Sequence, residues 1–235
     1  MSVVVYGAGG QARVLLELMD RAGICPISGL VDDNPELAGT KIDGVNVLGN
    51  IEKLASIFRV LRIHRAVIAV GDNVHRRRLA DHARGLGLRL PVLIHPNAYV
   101  SPTARLGDGT VVMAGAVINT HAKVGELGII NTRASIDHDC EIGDGVHIAP
   151  GVTMAGNVTV GDGTLIGVGA CIVPGVIIGS DSIIGAGAVV TRDVPSNTTV
   201  VGCPARPIPH KGVQASSAEA SAADSNTAQA NTANN

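Results

Sequence analysis

The chain has 235 residues with a formal net charge of −2 and a pI near 6.4, so it offers no basic balance for a nucleic-acid partner. It holds 30 glycines, only three aromatic residues (Tyr6, Phe58 and Tyr99) and no tryptophan, yet 46% of its residues are hydrophobic. A core made from Val, Ile, Leu and Ala suits thin, regular layers, and the absence of a run of about 18 apolar residues predicts no membrane span.

From the N-terminus, Val3-Val4-Val5-Tyr6 reads as a short buried strand running into the turn Gly7-Ala8-Gly9-Gly10. A helix follows, with Val14, Leu15, Leu18 and Met19 expected on its buried face. Gly29-Leu30-Val31 is a strand ending in the turn Asp32-Asp33-Asn34-Pro35. Ile51 to Phe58 has a helical pattern, and Ala66-Val67-Ile68-Ala69-Val70 reads as a buried strand before Gly71-Asp72-Asn73. Asn73 is the expected cap of a helix through Gly85, whose basic run His75-Arg76-Arg77-Arg78 reads as a solvated face. Strand, glycine turn and helix in alternation predict a small Rossmann-like parallel α/β domain over residues 1–98.

At Tyr99 the period changes. Sixteen hexads run without a break from YVSPTA through SIDHDC to VVTRDV at residue 194, and the second position of every one is Val, Leu, Ile or Met. The physical reading is a triangular coil in which each hexad makes one side and its second residue points inward. Three hexads return the chain above itself, so residues 18 apart stack at about the 4.8 Å spacing of neighbouring strands. The hexads amount to five and a third coils of a parallel β-helix, placed in a second domain over 99–212. Residues 213–235 are Ala, Ser, Asn and Thr with almost no large apolar side chain, the composition of a disordered tail.

Cys25, Cys140, Cys171 and Cys203 lack zinc-site spacing and suggest no disulfide framework. MSVVVYGAGG lacks the basic start and long apolar stretch of a signal peptide, so a reduced, cytoplasmic setting is expected.

Two places carry chemistry. Gly7-x-Gly9-x-x-Ala12 fits a dinucleotide fingerprint, with Asp32 at the distance of a ribose-binding acid, and its helix start would hold phosphate on backbone N–H groups. The segment is only about one mononucleotide half long, which favours a nucleotide-sugar over NAD, a plain structural turn being the other alternative. In the coils, Asp137-His138-Asp139-Cys140 sets an imidazole between two acids on a wall of small and apolar side chains. A neighbouring carboxylate can fix its tautomer and raise its basicity, as a general base requires. Gly156 stacks on His138 one coil on, leaving room for an acyl group and an N–H for an oxyanion. His147 lies half a coil further, either beside a cofactor at a subunit boundary or on a solvated corner, while His121 reads as structural.

Together GAGGQAR, VDDNP, AVGDN, HPNAYVSPTA, INTRASIDHDCEIGDGVHIAPG and VVGCPARPI resemble the PglD/NeuD-like sugar acyltransferases over residues 2 to 208. The resemblance implies a left-handed β-helix, since parallel crossovers are otherwise right-handed. It also implies a homotrimer with sites between neighbouring coils, acetyl-CoA as donor, a nucleotide-activated amino sugar or sialic acid as acceptor, and no metal. By position, it makes His138 the general base, Asp139 the residue that strengthens it and Gly156 its catalytic neighbour. His147, Gly156, Val168 and Ala186 would lie along acetyl-CoA, and Gly9, Gly10, Gln11, Asp32, Asp33 and Gly71 would line the nucleotide-sugar pocket. Two positions depart: many relatives carry histidine at Gln11, and some carry glycine at Ala186.

The expected activity is acetyl-CoA-dependent N-acetylation of a nucleotide-linked 4-amino-4,6-dideoxy sugar in surface glycan biosynthesis. O-acetylation of sialic acid or another sugar is the nearest alternative. A trimeric zinc enzyme fits less well, because His121, His138 and His147 are not spaced as its ligands. A non-catalytic nucleotide-sugar sensor would leave the His-Asp pair without a use.

Overall fold

A computed structural model describes residues 2–24, 26–51 and 63–208. The α/β unit is a three-stranded parallel sheet of β1 (Ser2–Tyr6), β2 (Ile27–Val31) and β5 (Ile63–Ile68), with β1 in the middle. A small antiparallel hairpin of β3 (Lys41–Ile42) and β4 (Val45–Asn46) lies between β2 and β5 in the chain. The expected helix of 51–58 lies, beyond Ile51, outside the described residues, as does the segment 213–235.

Helix α1 (Gly10–Arg21) follows the glycine turn. Its buried stripe is Ala12, Leu15, Leu16 and Met19, joined by Leu18. Val14 is 48% exposed, contrary to the expectation above. The i, i+3, i+4, i+7 pattern starts at Ala12, which sends Val14 round to the other side.

Helix α2 (Asn73–Gly85) is capped by Asp72, whose Oδ1 accepts the His75 N–H at 2.7 Å. The cap is therefore one residue earlier than expected, and a carboxylate there also suits the helix dipole. Asn73 is left free to donate from Nδ2 to the Gly163 carbonyl at 2.7 Å. The run after it is solvated only in part. Arg78 is exposed, but Arg76 is 1% exposed and Arg77 donates to the Asp144 carbonyl.

The rest of the chain is a parallel β-solenoid of two-residue strands. Ser135–Ile136 pairs in register with Val117–Ile118 one coil before and Thr153–Met154 one coil after, so residues 18 apart do stack. Face 1 carries Tyr99, Val117, Ser135, Thr153, Cys171 and Val189 in a column, and face 2 carries Arg105, Lys123, Glu141, Thr159 and Ile177. Face 3 carries Leu93, Val111, Ile129, His147, Leu165, Ile183 and Thr199, so its ladder also takes in the strands Leu93–Ile94 and Thr199–Val201. The second hexad positions form one core column, among them Ile118, Ile130, Ile136 and Ile148 at 0% exposure. Fully burying each such side chain stabilises by about 1.5–3 kcal/mol.

The two units share a core. Leu93, Val111 and Met113 of the first coils pack in one cluster with Val3, Val5, Leu15 and Met19, and Leu127 joins Tyr6 and Leu79 in another. The α/β unit thus sits on the lower part of face 3, leaving His147, Leu165 and Ile183 at or beyond its edge.

Candidate active site

His138 stands on the corner between faces 1 and 2. Ile136 and Cys140 point into the core on either side, so the residues between them must turn outward. Asp139 makes that turn with φ +57°, a left-handed conformation that Asp tolerates better than most side chains. Its Oδ2 lies 2.8 Å from His138 Nδ1. Nδ1–H therefore donates to the carboxylate, and Nε2 is left with its lone pair as the acceptor. The hydrogen bond to Asp139 raises the imidazole pKa above its usual value, with a further push from the charge on Asp137.

The column beneath and above explains Gly156. In one coil Asn119 Oδ1 accepts the Thr120 N–H, and in the next Asp137 Oδ1 accepts the His138 N–H, each at 2.8 Å. In the third coil the corresponding residue is Ala155, which has no acceptor to offer. The Gly156 N–H accordingly finds no partner among the described residues. A Cβ at Gly156 would come within 2.6 Å of His138 Nε2, so only glycine lets the imidazole lie over this backbone. A backbone amide without a partner among the described residues and the lone-pair nitrogen of the imidazole thus belong to stacked, touching residues. Of this set, His138, Asp139 and Gly156 were legible in the sequence. The roles of Asp137, Asn119 and Ala155 were missed, although the same 18-residue column carries them.

A second group gathers at the C-terminal ends of the sheet strands. Gly7 takes φ +103° with its missing Cβ against the Ala69 carbonyl, so the turn requires glycine there. Gly9 and Gly10 have open space where a Cβ would be. Asp32 braces the turn from β2, its Oδ2 accepting the Ala8 N–H at 2.8 Å and its Oδ1 the Asn34 N–H. Asp33 Oδ1 accepts the Ile51 N–H. Gln11, in the first turn of α1, carries a buried Nε2 without a partner among the described residues, and Gly71 follows the end of β5. This is a helix start with spare donors, suited to phosphate.

The third group divides. Val168 and Ala186 are exposed and stack 18 apart on the corner between faces 3 and 1. His147 is on face 3 itself, its Nε2 3.2 Å from Asn131 Nδ2. Burial, assisted by the Arg76 guanidinium and opposed by the Gly71 carbonyl, brings its pKa down to about 4, so the ring is neutral at physiological pH. Within one chain His147 meets the second group at Gly71, whereas the His138 corner lies on the other side of the coil from both. Among the described residues no three His, Cys, Asp or Glu side chains gather as a metal site.

Residues 2–83 match the PglD N-terminal domain, and 157–192 match the bacterial transferase hexapeptide (six repeats). PerB from Caulobacter crescentus, solved in complex with CoA and GDP-perosamine, is 41% identical with a TM-score of 0.84, over 89% of this chain and 98% of that one. The chain belongs to the PglD-like sugar acyltransferase family. The acetyltransferase domain of PglB from Neisseria gonorrhoeae, in complex with acetyl coenzyme A, is 38% identical with a TM-score of 0.79, over 88% and 98% of the two chains. UDP-N-acetylbacillosamine N-acetyltransferase of Bacillus subtilis is 39% identical over 115 residues, 48% of this chain and 51% of that protein. The family's fold is the one seen here, an α/β domain followed by a left-handed parallel β-helix.

Proposed function

We propose that the protein transfers an acetyl group from acetyl-CoA to the 4-amino group of a nucleotide-linked 4-amino-4,6-dideoxy sugar, for surface glycan biosynthesis. The observation that carries this is the His138–Asp139 pair lying over the unpartnered Gly156 N–H. The acceptor amine attacks the thioester carbonyl, and His138 Nε2 takes the proton the amine must lose. The Gly156 N–H donates to the carbonyl oxygen as negative charge develops on it. Collapse expels CoA as thiolate, which leaves as the thiol on taking the proton back from His138. Asp139 keeps the imidazole in the required tautomer and steadies its charged form. The acceptor's pyrophosphate fits the α1 start beside Gly9, Gly10 and Gln11, with Asp32, Asp33 and Gly71 around it, and acetyl-CoA runs along His147, Gly156, Val168 and Ala186. The relatives support this class of substrate: PerB is described with GDP-perosamine, and its complexes include substitutions of one histidine by asparagine or alanine.

We also infer a homotrimer, as the family resemblance implies. The His138 corner is opposite face 3, where the α/β unit sits, which supports a second copy bringing its acceptor pocket to the imidazole. Val168 and Ile177 are 55% and 54% exposed, apolar surface that an assembly would cover. No helix among the described residues is long and apolar enough to cross a membrane. The free, exposed thiols of Cys171 and Cys203 support a reducing, cytoplasmic location.

The test offers UDP-, GDP- and dTDP-linked 4-amino sugars with acetyl-CoA and follows CoA-thiol release and product mass. One amino sugar gaining an acetyl group is the expected result. Transfer to sialic acid or another hydroxyl alone would overturn the amine acceptor.

A further inference from the structure

The start of α2 is fixed to the solenoid by a buried cation. Arg76 Nε donates to the Leu127 carbonyl at 2.9 Å, and Nη2 to the Gly145 carbonyl at 2.9 Å. Those acceptors belong to the corners between faces 2 and 3 in two successive coils. Nη1 donates to the Gly71 carbonyl at 2.9 Å and, more weakly, to Val70, while Nη2 also reaches Asn73 Oδ1. Asn73 in turn donates to the Gly163 carbonyl in a third coil. All five hydrogen bonds of the guanidinium go to uncharged acceptors.

Such an arrangement is a costly way of holding two units together. A buried cation loses its hydration, and well-packed apolar residues of the same volume usually hold an interface at least as firmly. What a guanidinium adds is direction: its rigid fork fixes several carbonyl-bearing turns relative to one another at once. The turns it fixes here matter to the acceptor. Gly71 borders the phosphate-binding group, and Gly145 lies two residues before His147. The Gly71 carbonyl also acts on the His147 ring, whose other side meets Asn131.

We propose that Arg76 is a positioning residue for the amino-sugar nucleotide, acting through the Gly71 turn and the His147 ring, which it holds in register with face 3. This rests on the acceptor reading above. His147 is then a neutral strut between the acceptor turn and the solenoid as well as a neighbour of the acetyl donor.

The experiment compares wild type with Arg76→Met and Arg76→Lys, measuring kcat, both KM values and the ring titration of His147 by NMR. In folded Arg76→Met the acceptor KM rises about tenfold or more while the acetyl-CoA KM stays within about twofold, and Arg76→Lys recovers part of the loss. The His147 titration moves upward, because a cation beside it has gone even though its burial remains. If Arg76→Met does not fold, Asn73→Ala removes one acceptor of the guanidinium together with the Gly163 link, and gives the same split more weakly. Both KM values rising together, or a lowered Tm with neither KM changed, overturns the proposal. A wild-type enzyme silent with every amino-sugar nucleotide overturns the acceptor reading and this proposal with it, whereas an active wild type whose Arg76→Met variant lacks the KM split overturns this proposal alone.

Discussion

His138 and Asp139 are adjacent in sequence, which ordinarily sends side chains apart. The left-handed turn at Asp139 brings its carboxylate back to Nδ1, so the pair depends on a backbone conformation as well as on residue type. A base with a raised pKa is protonated over a wider range of low pH, so kcat/KM should fall as pH drops through that value. Asp139→Asn removes the main cause of the rise. The acid limb of its profile is therefore expected at lower pH, with a plateau about tenfold or more below wild type, because a weaker base takes the proton less readily. An unmoved limb would mean that the titrating group is not His138. The Gly156 N–H, the proposed oxyanion donor, has its own test. Ala155→Asp restores the side-chain acceptor found at Asn119 and Asp137, and so occupies the Gly156 N–H. A fall in kcat of about 10²–10³-fold with little change in the acetyl-CoA KM is expected from steady-state kinetics. The base and its stacked glycine could be read from the sequence because the 18-residue period puts them together. The empty cap at Ala155 could have been read from the same column, since its signal is a side chain that is absent.

At the level of elements, periodic patterns were legible and tertiary acceptors were not. The inward column of the hexads predicted the solenoid core because each side chain's direction follows from its place in the repeat. The run 75–78 misled because basic residues at a helix start are usually solvated. What buries Arg76 is a set of backbone carbonyls from distant coils, and carbonyls leave no mark on residue type. His147 gives this junction a measurable pH dependence. Its folded pKa is about 4 against an ordinary 6.5, so between those values the unfolded chain binds the extra proton. Its contribution to stability is full above the ordinary value and is lost as pH falls toward the folded one. His147→Gln should therefore flatten the dependence of Tm on pH across that window, which scanning calorimetry can follow. A curve parallel to wild type would show that the ring is not held neutral.

For the whole molecule, the His138 corner and the proposed acceptor pocket lie on opposite sides of one triangular coil, and the sequence alone could not show this. The repeat predicts which residues stack, but not which face the α/β unit covers. That depends on Leu93, Val111 and Met113 packing against Leu15 and Met19. If each site draws on two copies, a His138→Ala chain and a Gly10→Trp chain, each inactive alone, should complement when refolded together. Random mixing leaves about a quarter of the boundaries with both functional halves. No recovery in mixed assemblies would place both halves in one chain.

The most direct measurement is the pH dependence of kcat/KM for acetyl transfer to the amino-sugar nucleotide in wild type and His138→Ala. The account predicts an acid limb set by one group in wild type, and in the variant a rate lower by about 10²–10⁴-fold with that limb gone. A variant that keeps more than about a tenth of the wild-type rate, with the limb intact, would contradict it.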